Sequence, residues 1–191
     1  MSSLGELINI FSKLPSLGPR SARRIVLYLL KNKEKIIPTL MTTIENVRSE
    51  LSYCHLCGNV DVINPCNICA DDKRKNGKLC IVEDIGDLWA IEKSKAFNGT
   101  YHVLGGVLSA MDGVGPEQLN IVSLLKRLES GSIKEVIIAT NATTEGQITG
   151  QYIADECAKF NILITRLAQG IPIGGELDLL DYNTCLLYTS D

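Results

Sequence analysis

The chain has 191 residues, 45% hydrophobic and 21% charged, the balance of a protein that folds around a core rather than of a disordered chain. No apolar run approaches the roughly 20 residues of a membrane span, and no basic segment leading into an apolar stretch opens the chain, so neither a span nor export is expected. The net charge of −3 joins two unlike halves: residues 1–78 carry 12 Lys and Arg against 7 Asp and Glu, and residues 79–191 carry 7 against 15. That division suits one face for a polyanion and another for a basic partner, or it is scattered solvated charge.

Ser3-Leu4-Gly5-Glu6 reads as a capping box ahead of Leu7, Ile8, Ile10, Phe11 and Leu14, which recur at helical spacing. Pro15 to Pro19 interrupts the pattern, and Pro19 suits the first turn of a second helix, where its missing N–H costs nothing. Ala22, Ile25, Val26, Leu29 and Leu30 then follow a helical repeat and predict a buried stripe. Leu40, Met41, Ile44, Val47 and Leu51 predict a third helix after Pro38, so residues 1–53 read as a small helical module. Residues 54–78 lack periodicity and hold four cysteines and a basic tail. Beyond them, strands are predicted at 79–82, 101–104, 136–139 and 162–165, and helices at 87–93, 116–128 and 147–159. Strands alternating with helices predict a largely parallel sheet covered on both faces.

The seven cysteines are an odd number, and in a chain not expected to be exported a disulfide scaffold is disfavoured. Cys54, Cys57, Cys66 and Cys69 form two C-x2-C pairs eight residues apart, a spacing that closes a tetrahedron of thiolates around one Zn²⁺ with no position left for water. The expected ion is therefore structural. Cys80, Cys157 and Cys185 read as small core residues, and neither His55 nor His102 shows ligand spacing.

A second signal is Leu14-Pro-Ser-Leu-Gly-Pro-Arg-Ser-Ala-Arg-Arg24. Counting about 100° per residue from Ala22, Arg20, Lys31 and Arg24 fall near 160°, 180° and 200°, opposite the apolar stripe. A glycine-containing hairpin that feeds a helix N-terminus exposes backbone N–H groups, and with flanking arginines it grips phosphate without reading bases. Gly18, Arg20, Arg23 and Arg24 are the candidate DNA contacts, against the plainer reading of a solvated helix face. A third signal is acidic: Glu83, Asp84 and Asp87 follow one predicted strand and Glu145 follows another. Two such strand ends side by side are where α/β sheets build ligand sites. One carboxylate beside the amide of Asn141 is thin for a Mg²⁺-dependent nuclease, so a partner-facing acidic rim is the expectation and Mg²⁺-dependent nicking the alternative.

The hairpin, the cysteine quartet, Tyr101-His-Val-Leu-Gly-Gly-Val-Leu-Ser109, Asp112-Gly-Val-Gly-Pro116, Ala139-Thr-Asn141 with Glu145-Gly146, and Thr165–Leu177 together resemble the RecR family of bacterial recombination mediators. The resemblance runs from residue 1 to about 181. It implies an α+β multi-module chain: a helix-hairpin-helix at 1–53, a four-cysteine zinc finger at 54–69, a Toprim domain at 78–173 and a short segment at 174–191. It also implies a non-enzymatic role in recombinational DNA repair, with sequence-independent DNA binding, a ring-like homo-oligomer, RecO and RecF as partners, one structural Zn²⁺ per chain, and a cytoplasmic, nucleoid-associated location without membrane contact. Enzymatic Toprim domains carry Asp-x-Asp where this chain has Asn141-Ala142-Thr143. Residues 182–191 depart from the family pattern and read as an atypical or truncated end.

Overall fold

The computed structural model describes residues 2–167 and contains two compact units, one ending at Leu51 and one beginning at Ser52. In the first, α1 spans Ser3–Ser12, α2 Pro19–Lys31 and α3 Lys33–Glu50. The cap of α1 lies one residue earlier than expected: Ser2, not Ser3, is the N-cap, and its hydroxyl accepts the Gly5 N–H at 3.4 Å. Pro19 opens α2 as expected, behind Gly18 as N-cap. The buried stripe of α2 narrows to Ala22, Val26 and Leu29, with Ile25 half-buried and Leu30 exposed.

The third helix begins before Pro38, not after it. A proline there removes one N–H, the one that would have bonded to the Glu34 carbonyl, and the rest of the 18-residue helix absorbs that loss. Its apolar residues are periodic but unburied: Met41 is 67% exposed and Ile44 57%.

The second unit is built on a four-stranded sheet in the order β4-β3-β5-β6, where β3 is Lys78–Val82, β4 Thr100–Val103, β5 Glu135–Ala139 and β6 Leu163–Arg166. All three pairings are parallel, with Val82 opposite both Val103 and Ala139. Alternation sorts β3 onto two cores. Leu79 and Ile81 pack with Leu104, α6 (Ile121–Glu129) and α7 (Thr144–Cys157); Cys80 and Val82 pack with Tyr101, Val103 and Leu88 of α5 (Ile85–Ser94). A strand buried on both faces needs an unbroken apolar run, which Leu-Cys-Ile-Val supplies.

The single helix expected over 116–128 is two pieces, a short 3₁₀ turn at Pro116–Gln118 and then α6. Asn120 divides them because it is pulled to the sheet: its backbone N–H donates to the Leu104 carbonyl at 2.9 Å and its side-chain amide to the Val103 carbonyl at 3.0 Å. Ahead of the sheet, β1 (Ser52–Tyr53) and β2 (Val60–Asp61) form a small antiparallel pair and α4 (Asn67–Ala70) a single turn, none of which periodicity could reveal. The expected segment at 174–191, and Cys185 within it, lie outside the described residues.

Candidate functional site

The N-terminus of α2 is bare. Gly18 has no side chain to cap it, Pro19 has no N–H, and the N–H groups of Gly18, Arg20 and Ser21 have no protein partner among the described residues. Arg20, Arg23 and Arg24 are all exposed, and none has a carboxylate within 4.0 Å among the described residues. Nothing lies within 4 Å of where a Gly18 side chain would begin, so a phosphate can approach the backbone there. Ser16 reaches the left-handed region at φ 62° to turn the chain between α1 and α2.

The four cysteines converge. Their sulfurs all lie within 4.8 Å of one another, and each residue is buried. Two backbone N–H groups point at sulfur: Asn59 to Cys57 Sγ and Cys66 to Cys54 Sγ, both at 3.4 Å. Burial raises the Cys54 thiol, but the backbone N–H groups of Cys66, Cys57 and Leu56 outweigh it and bring it down to about 7. The hydrogen bond with Cys69 and burial push Cys57 up, and burial pushes Cys66 up to about 11. Neighbouring thiols resist ionising together, and a dication at their centre removes that resistance. The donor set fits one tetrahedrally held metal ion. Gly58, at φ 79°, makes the turn after the first pair, in a conformation few side chains allow.

This cysteine module bonds to the β4 edge of the sheet. Three outward-facing groups of β4 are taken: the Val103 N–H donates to the Cys57 carbonyl at 2.8 Å, Asn120 donates to the Val103 carbonyl, and Arg127 donates to the Tyr101 carbonyl at 2.6 Å. The indole of Trp89 donates to Asn59 at 3.1 Å, and Arg74 holds Glu92 of α5 through two bonds of 2.8 Å. An edge strand that would otherwise template pairing is thereby partly covered.

At the carboxyl end of the sheet the parallel register brings Glu83 beside Asn141, as the two adjacent strands require. Glu83 is a correction to the expected partner-facing rim. It is buried, its two carboxylate oxygens accept the Asn141 backbone N–H at 2.7 Å and side-chain amide at 2.6 Å, and its carbonyl accepts the N–H groups of Gly105 and Gly106. Gly146 belongs to the same junction, since a side chain there would run into the Asn141 carbonyl and the Glu83 carboxylate. Asp84 and Asp87 cap α5: the Asp84 side chain accepts the Ile85 N–H and Asp87 accepts the Asp84 N–H at 3.1 Å. Glu145 stands exposed in the first turn of α7. Among the described residues, the cysteine quartet is the one set of three or more His, Cys, Asp or Glu donors close enough to share an ion.

Residues 4–48 match the family model described as RecR, helix-hairpin-helix, and residues 77–168 match the Toprim domain. The Recombination protein RecR of Erythrobacter litoralis (strain HTCC2594) is 53% identical over 94% of this chain and 90% of its own length. Those of Mesorhizobium japonicum and Agrobacterium fabrum are 51% and 52% identical over 94% of this chain and 89% of theirs. The chain belongs to the RecR family. The RecR helix-hairpin-helix match covers α1 to α3, and the Toprim match covers the parallel sheet with its helices. Within this RecR chain three structural roles escaped sequence reasoning: Asn141 as the donor to Glu83, Asn120 as the latch on β4, and Arg127 as the cap of the Tyr101 carbonyl. An amide in the place of the second Toprim carboxylate was the one legible sign of them.

Proposed function

We propose that this chain is a DNA-binding recombination mediator that acts with RecO and RecF to help load the recombinase on single-stranded or gapped DNA. The observation that carries the reading is the α2 N-terminus, where, among the described residues, three exposed arginines without carboxylate partners occupy the first two turns beside backbone N–H groups that make no protein hydrogen bond. Such a surface holds phosphates and ignores base identity. We read the metal as one structural Zn²⁺ on Cys54, Cys57, Cys66 and Cys69, since four thiolates in a tetrahedron suit that ion. The exposed apolar face of α3 supports assembly into a homo-oligomeric ring. We read Asp84, Asp87 and Glu145 as an acidic edge toward RecO; Glu83, whose oxygens are spent on Asn141, braces that edge from within.

The same junction argues for a mediator without catalytic turnover. An amide that donates to Glu83 takes the place where a second carboxylate would hold Mg²⁺, and that disfavours the nicking alternative. The test of the leading reading is the salt dependence of DNA binding. Wild-type affinity for DNA of any sequence is expected to fall steeply with salt, and Arg20→Ala with Arg24→Ala to weaken binding and flatten the log–log slope by about one unit per lost contact. An unchanged slope would show that this face is merely solvated.

A further inference from the structure

A cleft of about 550 Å³ lies between the cysteine module and α6, away from the carboxyl end of the sheet. Lys75, Lys126 and Arg127 line it, with Ser123, Ser130 and Ser132 between them, and no carboxylate is among its lining residues. Lys75 is paired at 2.6 Å with the exposed Asp72 outside that lining, whereas Lys126 and Arg127 have no carboxylate within 4.0 Å among the described residues. In a chain of net charge −3 this is a local excess of positive charge that the protein does not neutralise.

Arg127 is the informative member. It is half-buried, and its Nη1 donates to the Tyr101 carbonyl at 2.6 Å and the Leu56 carbonyl at 3.4 Å. Its Nη2 and Nε have no protein partner among the described residues. A guanidinium oriented by carbonyls keeps its full charge, and its remaining N–H groups form a rigid fork of the kind that matches a phosphate. The same carbonyl contacts fix the fork without a carboxylate that an incoming anion would have to displace.

We propose that this cleft binds a phosphodiester of a nucleic-acid backbone, giving the second unit a grip on DNA of its own, independent of α2. The inference rests on the reading of the chain as a DNA-binding protein. No Phe, Tyr or Trp lines the cleft, so the grip holds backbone rather than stacked bases and is blind to sequence. The rival explanation is that the three cations only offset the two net negative charges of a Zn²⁺ held by four thiolates, because Cys69 also lines the cleft.

The test uses the full-length, zinc-loaded protein. Lys75→Glu with Lys126→Glu is the chosen variant, because both side chains are exposed while Arg127 also secures β4. Labelled oligo-dT anisotropy is measured across a salt series for this variant, for the wild type and for the α2 double variant. Amide spectra of the wild type are recorded with the thymidine dinucleotide pTpT. The expected result is roughly tenfold weaker oligo-dT binding with a salt slope lower by one to two units, and pTpT shifts at Ser123, Ser130 and Ser132. Unchanged affinity and slope with no pTpT shift there overturn the proposal, as does a variant that only loses zinc. Should oligo-dT binding be absent in the wild type while pTpT still shifts these amides, the cleft stands as a phosphodiester site and the DNA-mediator reading falls.

Discussion

His102 shows how a single buried side chain ties stability to pH. It is 2% exposed on β4, and its Nε2 must carry the proton, because its partner at 2.9 Å is the Asn120 carbonyl, which can only accept. Nδ1 is then buried without a partner among the described residues. Protonating it would bury a charge and an unmatched donor, so burial, against the pull of the Asn120 carbonyl, takes the imidazole from 6.5 down to about 4. Between those pH values the unfolded chain binds a proton that the native state refuses. The contribution is therefore complete above pH 6.5 and lost progressively as pH falls toward 4, by up to about 3 kcal/mol. His102→Gln keeps the donor to Asn120 and removes the titration. Urea unfolding followed from pH 7 to pH 4 should show the wild type losing stability relative to this variant, and parallel curves would exclude the mechanism. Glu83 is the complementary example, a buried carboxylate kept in place by two amide donors of one residue.

Among the elements, the cysteine module and β4 depend on one another. Each C-x2-C turn is too small to make a core, so an ion held by the four thiols would supply folding free energy to this segment. The folded module in turn presents the Cys57 carbonyl to the Val103 N–H. Chelation or Cys57→Ser should release the ion and speed hydrogen exchange at Val103, while Ile153 in the core of α7 keeps its protection. A metal-free protein in which Val103 remains as protected as in the metal-loaded one contradicts the coupling. Native mass spectrometry of the untreated protein should show one zinc per chain and assemblies of several chains. The second expectation comes from α3, whose Leu40, Met41, Ile44 and Val47, with the C-cap Leu51, remain exposed.

Across the whole molecule, charge is divided between the halves of the chain. The helical module and the cysteine segment hold the basic excess, and the sheet unit holds the acidic one, gathered in part where α5 and α7 begin. Carboxylates at helix N-termini are favourable in themselves, which accounts for Asp84 and Asp87. Glu145 is exposed in the first turn of α7 and has no cation within 4.0 Å among the described residues. Opposite charge on a partner raises the association rate more than it lengthens the life of the complex. Glu145→Lys is expected to slow association with RecO about tenfold at low salt, leaving zinc content and bare DNA binding intact. Stopped-flow association at the wild-type rate would assign the edge another purpose.

Much of the architecture was legible in the chain itself, because the decisive signals are local. Two C-x2-C pairs, Pro19 behind a glycine, and short apolar strands alternating with helices each state their own structure over a few residues. Periodicity also located α3, but it could not say that its stripe stays exposed, since a helix repeat reports an apolar face and not what covers it. The break at Asn120, the cap that Arg127 places on β4 and the inward turn of Glu83 were decided only in three dimensions. Each joins residues 17, 26 and 58 positions apart, and such bonds exist only once the parallel register has brought distant strand ends together. The acidic residues were readable as acidic; which of them faces solvent was settled by whether a donor such as Asn141 lay within reach.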